Sequence, residues 1–430
     1  MPWKESNVLD QRIQFISECL KKEIPLAGLC RSFGISRKTG YKFIGRYKRE
    51  GAEGLEDRSR APRRQPNAVS TEVQEAILDV RKAHPTWGPR KLVAWLRREH
   101  PDTAWPVPST IGALLRREGL AVRRRRRPRA TPSPHPLSAA SVPNSVWCAD
   151  FKGWFRTGNG ERCTPFTLLD AHSRYLLRCQ ALKATDLAAT KPLLEAAFRE
   201  YGLPAVIRTD NGPPFATHGL GGLSRMAVWW LKLGILPERI APGHPEENGR
   251  QERLHRTLEE DVIHQPARNL RAQQRAFELY LHAYNHDRPH EALAYETPAQ
   301  VYLPSLRRYP EIVPEFTYPN DLTVRHVRHT GEIRWRGNLV FLSEVLIGEA
   351  VGLLPISEQH WALYVGPLPL AILDDATRSW LPRPKAGPIL QALATEETPG
   401  KPQETPTPER PLTYQHHRET ITLVSPMLSV

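Results

Sequence analysis

Ile207-Arg208-Thr209-Asp210-Asn211-Gly212 is a strand-like run that stops at an acid followed by a turn-forming pair, which puts a carboxylate at a strand end. A second acid sits in the same way in Val146-Trp147-Cys148-Ala149-Asp150-Phe151-Lys152. A third, Glu252, opens a helix after the turn-rich Pro242-Gly243-His244-Pro245-Glu246-Glu247-Asn248-Gly249. One such acid alone is ordinarily a solvated turn. Three that converge make an all-oxygen site suited to Mg²⁺ or Mn²⁺, ions that keep several waters and usually complete their shell with substrate phosphate. The substrate implied is a phosphodiester.

The charge distribution agrees. Of a formal net charge of +14, the first 130 residues hold 29 Lys and Arg against 14 Asp and Glu, which leaves the remaining 300 residues at about −1. A basic region this concentrated is the footprint of a polyanion binder, because each neutralised phosphate releases counterion. No apolar run approaches the roughly 18 residues that a spanning helix needs, so no membrane is expected as a partner. The start, Met1-Pro2-Trp3-Lys4-Glu5-Ser6-Asn7, does not read as a signal peptide. The five cysteines never fall into Cys-x-x-Cys spacing, which points to buried thiols in a reducing cytoplasm rather than to a zinc or disulfide framework.

Residues 1–60 are expected to form a helix-turn-helix domain. Val8, Ile13, Ile16 and Leu20 give a rough apolar face, Leu26, Leu29 and Phe33 continue one, and Gly34 ends the second helix before Ser36 caps a third. That third helix turns Arg37, Lys38, Thr39 and Lys42 outward toward a major groove, with Tyr41, Ile44 and Tyr47 inward. Gly40 sits awkwardly in it, since glycine costs up to ~1 kcal/mol in a helix interior. A second helical DNA-binding unit is expected over 68–125, with Val73, Ile77 and Val80 on one helix, Leu92, Val93 and Leu96 on the next, and Ser109 capping a third. The unbroken run Arg123, Arg124, Arg125, Arg126 and Arg127 opens into a basic Pro-rich linker, 126–143, that reads as a phosphate-tracking arm.

From 144 to 305 strand and helix signals alternate: a strand at Val146 to Lys152, a hairpin from Phe166 to Asp170 and Tyr175 to Leu182, a helix at Leu187 to Tyr201 and a strand at Pro204 to Asp210. Asp170 is expected to shape its turn with Ser173. Short strands between Leu322 and Leu373 predict a small β-barrel over 318–380, with Arg325, Arg328, Arg334 and Arg336 available to phosphate. The Pro-, Glu- and Thr-rich stretch 387–430 predicts a disordered tail.

Five ordered motifs resemble the catalytic core of the retroviral-integrase superfamily, and most closely its insertion-sequence transposases. They are Trp147 to Lys152, Leu169 to Tyr175, Arg208 to Gly212, Asn248 to Leu258, and Tyr284 to His290. The resemblance implies a ribonuclease-H-like α/β core and an Asp, Asp, Glu triad at Asp150, Asp210 and Glu252. It further implies two Mg²⁺ or Mn²⁺ ions, cleavage at element ends in double-stranded DNA, strand transfer into target DNA, and a homo-oligomer that joins two ends. A bacterial, nucleoid-associated protein of the cytoplasm would follow. The alternatives are a nuclease or resolvase on the same fold, or a domesticated non-catalytic DNA-binding regulator. Glu246 competes for the third place, lying 36 positions after Asp210 against 42 for Glu252. The shorter interval is nearer the family's, but Glu252 follows Asn248-Gly249 by the motif's step, and the excess fits the Gly-rich Thr217 to Gly222. On the same helix His255 and Arg256 are candidate DNA contacts, Arg256 alternatively an ion-pair partner of Glu252 or Glu259.

Overall fold

The computed structural model describes residues 7–58, 69–121, 137–217, 219–241, 244–381 and 383–395. The run Arg123 to Arg127, the first part of the Pro-rich linker and the tail from 396 lie outside them. The chain divides into two units, residues 1–70 and 71–430.

The first unit is three helices, α1 (Val8–Lys21), α2 (Leu26–Ser32) and α3 (Arg37–Glu50). A reciprocal capping box of Asn7 and Asp10 starts α1, and Ser36 starts α3 by accepting the Thr39 N–H. The buried stripe of α1 runs through Phe15 and Ile16, with Cys19 beside it, whereas Val8, Ile13 and Leu20 are exposed. A 14-residue helix crossing two others buries one stripe, and the two rings of Phe15 and Phe33, edge to face at 5.5 Å, fix which. The phase of α3 also differs from expectation, because Phe43 is the buried aromatic and Tyr41 is 65% exposed. Gly40 is explained by the same crossing: a Cβ there would lie 2.6 Å from Cys30 Sγ and 3.2 Å from the Phe15 ring.

The second unit opens with α4 (Thr71–Ala83), α5 (Pro89–Glu99) and α6 (Pro108–Arg117), packed around Ile77, Leu92, Leu96 and Ile111. Proline at the first position begins both α5 and α6, so Val107, and not Ser109, is the N-cap of α6. Buried Arg81 ties the bundle together by donating to the carbonyls of Trp87 and Leu120. The bundle is docked on the α/β core: Thr86 Oγ1 donates to Asp261 (3.0 Å), Arg98 to the Asp287 carbonyl (3.2 Å), and Arg90 reaches Glu291 (3.4 Å).

The core sheet has six strands: β1 (Val146–Phe151), β2 (Phe155–Arg156), β3 (Arg162–Asp170), β4 (Leu176–Leu182), β5 (Val206–Thr209) and β6 (Leu236–Arg239). β3 runs antiparallel to β1 and β4, whereas β5 is parallel to β1 and β6. One face packs Trp147, Phe166 and Leu177 on α7 (Leu187–Tyr201) and α8 (Arg225–Lys232). The other packs Leu169, Leu176 and Cys179 on α9 (Gly249–Leu258) and α10 (Leu270–His282). Two buried asparagines pin the frame. Asn285 exchanges both backbone hydrogen bonds with Leu176, at 2.8 and 2.9 Å. Asn144 accepts from Trp147 Nε1 and from the Tyr302 hydroxyl just after α11 (Pro298–Val301).

Beyond the core lie β7 (Thr323–His326), the hairpin β8 (Glu332–Trp335) and β9 (Asn338–Phe341), then β10 (Ala350–Pro355), β11 (His360–Val365), β12 (Leu368–Asp374) and β13 (Ser379–Trp380). These do not close into the expected barrel. The five-stranded sheet runs β13-β12-β11-β10-β7, and its edges β7 and β13 are not paired with each other. One face is covered by the hairpin and by Ala227, Val228 and Leu231 of α8, so the open sheet shares a hydrophobic core with the α/β domain. The Gly-rich insertion joins this seam, its Leu220 packing there and its Gly221 and Gly222 carbonyls accepting from Arg239. The other face carries α12 (Arg383–Thr395), so the first residues of the stretch expected to be disordered form a helix, with Ala386 buried against Ala362 and Ile372.

Gly40→Ala tests the close crossing. Helix propensity would favour alanine by up to ~1 kcal/mol, but the clash costs about 1–3 kcal/mol, so the first unit should lose stability. Hydrogen exchange of α3 amides reads this directly, and Cys30→Ala in the same chain should restore protection. A slower exchange in Gly40→Ala alone would refute the packing.

Candidate active site

β1 and β5 are parallel with Val146, Trp147 and Cys148 opposite Val206, Ile207 and Arg208. The same register carried two residues on brings Asp150 beside Asp210 at the carboxyl ends of neighbouring strands, where ligands bind in open parallel sheets. Asp150 Oδ1 accepts its neighbour Phe151's N–H at 2.7 Å, and Oδ2 accepts Asn248 Nδ2 at 3.0 Å. Asp210 accepts the Gly212 N–H at 3.2 Å, and a Cβ on Gly212 would come within 3.1 Å of that carboxylate. Glycine therefore permits the close turn. Neither acid forms an ion pair with Lys or Arg among the described residues. Burial first, and then the charge of Asp210, push the Asp150 carboxyl up to about 7.

Helix α9 faces this pair. Asn248, Glu252 and His255 stand at i, i+4 and i+7 and share one face. The two outer members reach Asp150, Asn248 by its hydrogen bond and His255 with Nδ1 3.9 Å from Oδ2. Glu252, between them in the first turn, is exposed and has no hydrogen bond or ion pair among the described residues. Gln251, one residue back, is fully buried and donates to the Cys148 carbonyl at 2.8 Å, which ties α9 to β1. Among the described residues the three acids do not close into a single ligand cluster: Asp150 and Asp210 are brought together, and Glu252 is carried on the facing helix. Glu246 belongs to the 3₁₀ turn Pro245–Asn248 before α9, and its side chain lies outside the described residues.

These groups fit a hard divalent cation. The charge of Asp210 makes ionising Asp150 more costly with no Lys or Arg ion-paired to either acid among the described residues, Glu252 is unpaired among them, and Asn248 Oδ1 is a buried oxygen without a hydrogen-bond donor. Asp150, Asp210 and Glu252 are the side chains that could hold it.

The remaining candidates separate. His255 is buried, not a DNA contact: Nε2 meets the Thr167 hydroxyl at 2.8 Å, which also bonds the Asp150 carbonyl, and burial followed by Lys152 pushes the imidazole down to about 4. A neutral ring thus props the strand bearing Asp150. Its helical position gave no sign of this, because burial comes from the sheet. Arg256 is exposed and pairs with neither Glu252 nor Glu259, the latter being bonded to Lys152 at 3.1 Å. Arg37, Lys38 and Lys42 are exposed on α3, whereas Thr39 is half-buried and bonded to Ser36. Tyr41, expected to point inward, joins their surface instead. Asp170 is a turn residue: fully buried, it accepts from the Asn144 and Ser173 N–H groups and from Ser173 Oγ, at 2.6–2.8 Å. Asn248 lay in plain view within its motif, and its Asn-to-Glu spacing of one helical turn was the available signal.

Comparison with known proteins follows this layout. Two integrase core domain families match residues 140–245 and 233–298, a helix-turn-helix domain family matches 11–63, and a homeodomain-like domain family matches 39–115. An uncharacterised 39.2 kDa protein of insertion element IS476 from Xanthomonas euvesicatoria is 27% identical over 55% of this chain, and the match spans 66% of that protein. The transposase InsD of insertion element IS2 from Escherichia coli is 28% identical over 55% of this chain and 80% of its own length. The catalytic core domain of HTLV-2 integrase, solved in complex with magnesium, superposes over 38% of this chain and 99% of its own at 18% identity, with a TM-score of 0.29.

The raised Asp150 pKa has a stability consequence. An acid whose folded pKa lies above its unfolded value binds more protons when folded, so its contribution to stability falls as pH rises from about 4 to about 7. In chelator, Asp150→Asn should therefore unfold at higher temperature than the parent at pH 7.5, by the order of 1 kcal/mol, with the difference vanishing near pH 4. Thermal melts across pH decide it. A variant less stable at pH 7.5 would mean that the carboxylates do not repel.

Proposed function

The chain belongs with the insertion-sequence transposases of the retroviral-integrase superfamily, and from that premise we propose that it cuts the ends of its element and joins the freed 3′-hydroxyl to target DNA. The observation that carries this reading is the Asp150 and Asp210 pair at adjacent strand ends, unneutralised and faced by the Glu252 side of α9. Asp150, Asp210 and Glu252 would hold Mg²⁺ or Mn²⁺, two ions being the number suited to exchanging one phosphodiester for another. When bound, such ions lower the pKa of the attacking oxygen and neutralise charge on the leaving one.

The chain's own residues supply the geometry. Asn248 fixes the rotamer of Asp150 through Oδ2, Gln251 holds α9 at its distance from β1, and neutral His255 supports the strand without adding a competing positive charge. Gly212 lets the loop after Asp210 turn tightly, leaving the carboxylate's outer side to substrate. The exposed face of α3, with Arg37, Lys38, Lys42 and Tyr41, is the surface suited to reading DNA ends. Arg123 to Arg127, which precede the core in sequence, would track phosphates. Strand transfer joins two ends, so the working form would be a homo-oligomer on double-stranded DNA.

With Mg²⁺ or Mn²⁺ the protein should nick end DNA and join it to target, and Asp150→Asn should abolish both steps while DNA binding survives. Full strand transfer by that variant would overturn the triad. The third acid is tested in the same gel assay. Glu252→Gln should lose several orders of magnitude, while Glu246→Gln stays within roughly tenfold of the parent, about 1.4 kcal/mol of barrier. The reverse ranking moves the third ligand to Glu246.

A further inference from the structure

A cleft of about 870 Å³ lies where the α4–α6 bundle docks on the core, on the side of α9 away from Asp150. Its walls carry Arg90, Arg174, Arg250, Arg253, Arg256 and Arg288, against the carboxylates of Glu260 and Glu291. Arg90 is matched by Glu291 and Arg288 by Asp261, but Arg250, Arg253 and Arg256 have no carboxylate partner among the described residues. Arg174 spends one N–H on the Ala171 carbonyl, and burial followed by the charge of Arg250 lowers its pKa. Cations crowded in this way favour an anionic ligand.

The backbone points the same way. α5, α6 and α9 all begin at this cleft, through Gly88-Pro89, Pro108-Ser109 and Gly249-Arg250, and none has a side-chain cap. The positive dipole ends of α5 and α6 therefore point toward the same space as the arginines, although the Lys91 and Thr110 N–H groups are already bonded to the Gly88 and Val107 carbonyls. One wall is a loop in which Ala294 and Tyr295 both take left-handed backbone, with φ of 52° and 72°, a costly conformation held by Tyr295 N–H bonding the His290 carbonyl at 2.8 Å. It brings the Tyr295 hydroxyl to Arg90.

We infer that this cleft is a composite seat for the sugar-phosphate backbone of DNA, completed only when the second helical bundle is docked on the catalytic core. The inference rests on the proposed action on DNA and deepens it. Charge complementarity selects the occupant, because Arg174, Arg250, Arg253 and Arg256, with Arg90 ion-paired only through its solvent-exposed 3.4 Å contact to Glu291, spread along an open groove and match a row of phosphodiesters better than one small anion. One helix does both tasks. The Arg250, Arg253 and Arg256 side of α9 grips backbone, and the Asn248, Glu252 and His255 side addresses Asp150, so a strand in the cleft lies about a helix diameter, ~10 Å, from the acids. Docking of the bundle then becomes a condition for presenting DNA to the site.

The test is fluorescence anisotropy of the full chain on a random-sequence duplex, in EDTA, across a series of salt concentrations. The double variant Arg90→Gln, Arg253→Gln should bind about tenfold more weakly, and its salt slope should flatten by nearly two, at ~0.9 for each phosphate that is no longer neutralised. Arg199→Gln, which removes a cation of α7 paired with Glu195, should leave the slope unchanged. A double variant with parental slope would overturn the proposal, as would full competition by millimolar inorganic phosphate, which would make the cleft a small-anion site. A photo-crosslinker at exposed Ala292 should capture duplex; capture at Lys38 but none at Ala292 would also count against it. Because no turnover is measured, these outcomes are separate from loss of nicking in Asp150→Asn.

Discussion

Mutual repulsion between Asp150 and Asp210 is the constraint around which the rest of the core is arranged. Parallel pairing of β1 and β5 places the two carboxylates side by side, half-buried, with no lysine or arginine among the described residues bonded to either. Left to itself this arrangement opposes folding. The protein keeps it with groups that orient Asp150 and do not cancel it: the Phe151 N–H, the Asn248 amide and, behind the strand, the Thr167–His255 contact. Stability held back at such a point is characteristic of functional sites.

Helix α9 turns this local tension into an architecture. One of its faces closes the acid pair, its apolar side sinks Leu254 and Leu258 into the sheet, and its third side forms a wall of the arginine cleft. The modules on either side of the core meet it in different ways, the bundle through polar side-chain contacts and the C-terminal sheet through a shared hydrophobic core. The α4–α6 bundle reaches Asp261 and Asp287 just beyond α9 and α10, and the C-terminal sheet takes α8 into its own hydrophobic core.

What the sequence made legible was local. Strand ends at Asp150 and Asp210 could be read because alternating apolar runs stop there at turn formers, and the short C-terminal strands could be read from their Gly, Pro and Asn spacing. The helix from Leu187 to Tyr201 was legible through its periodicity despite Pro192. What escaped was tertiary. Gly40 looked like a defect because nothing in its own helix reveals that Cys30 crosses beneath it. His255 looked like a surface residue because a polar face on a helix is normally solvated, and only the sheet opposite buries it. The open C-terminal sheet read as a barrel because strand period is the same in both, and closure depends on whether edge strands find each other. In this chain α8 and a hairpin cover the face instead.

The central claim is that Asp150 and Asp210 form a divalent-metal centre. Crystals soaked with Mn²⁺ and measured at the manganese absorption edge test it most directly. The account predicts an anomalous peak between the two carboxylates at a coordination distance of about 2.0–2.2 Å, with the Glu252 side chain turned toward it. A peak elsewhere, such as among Glu259, Glu260 and Asp261 at the far end of α9, with the Asp150 pair empty, would contradict it.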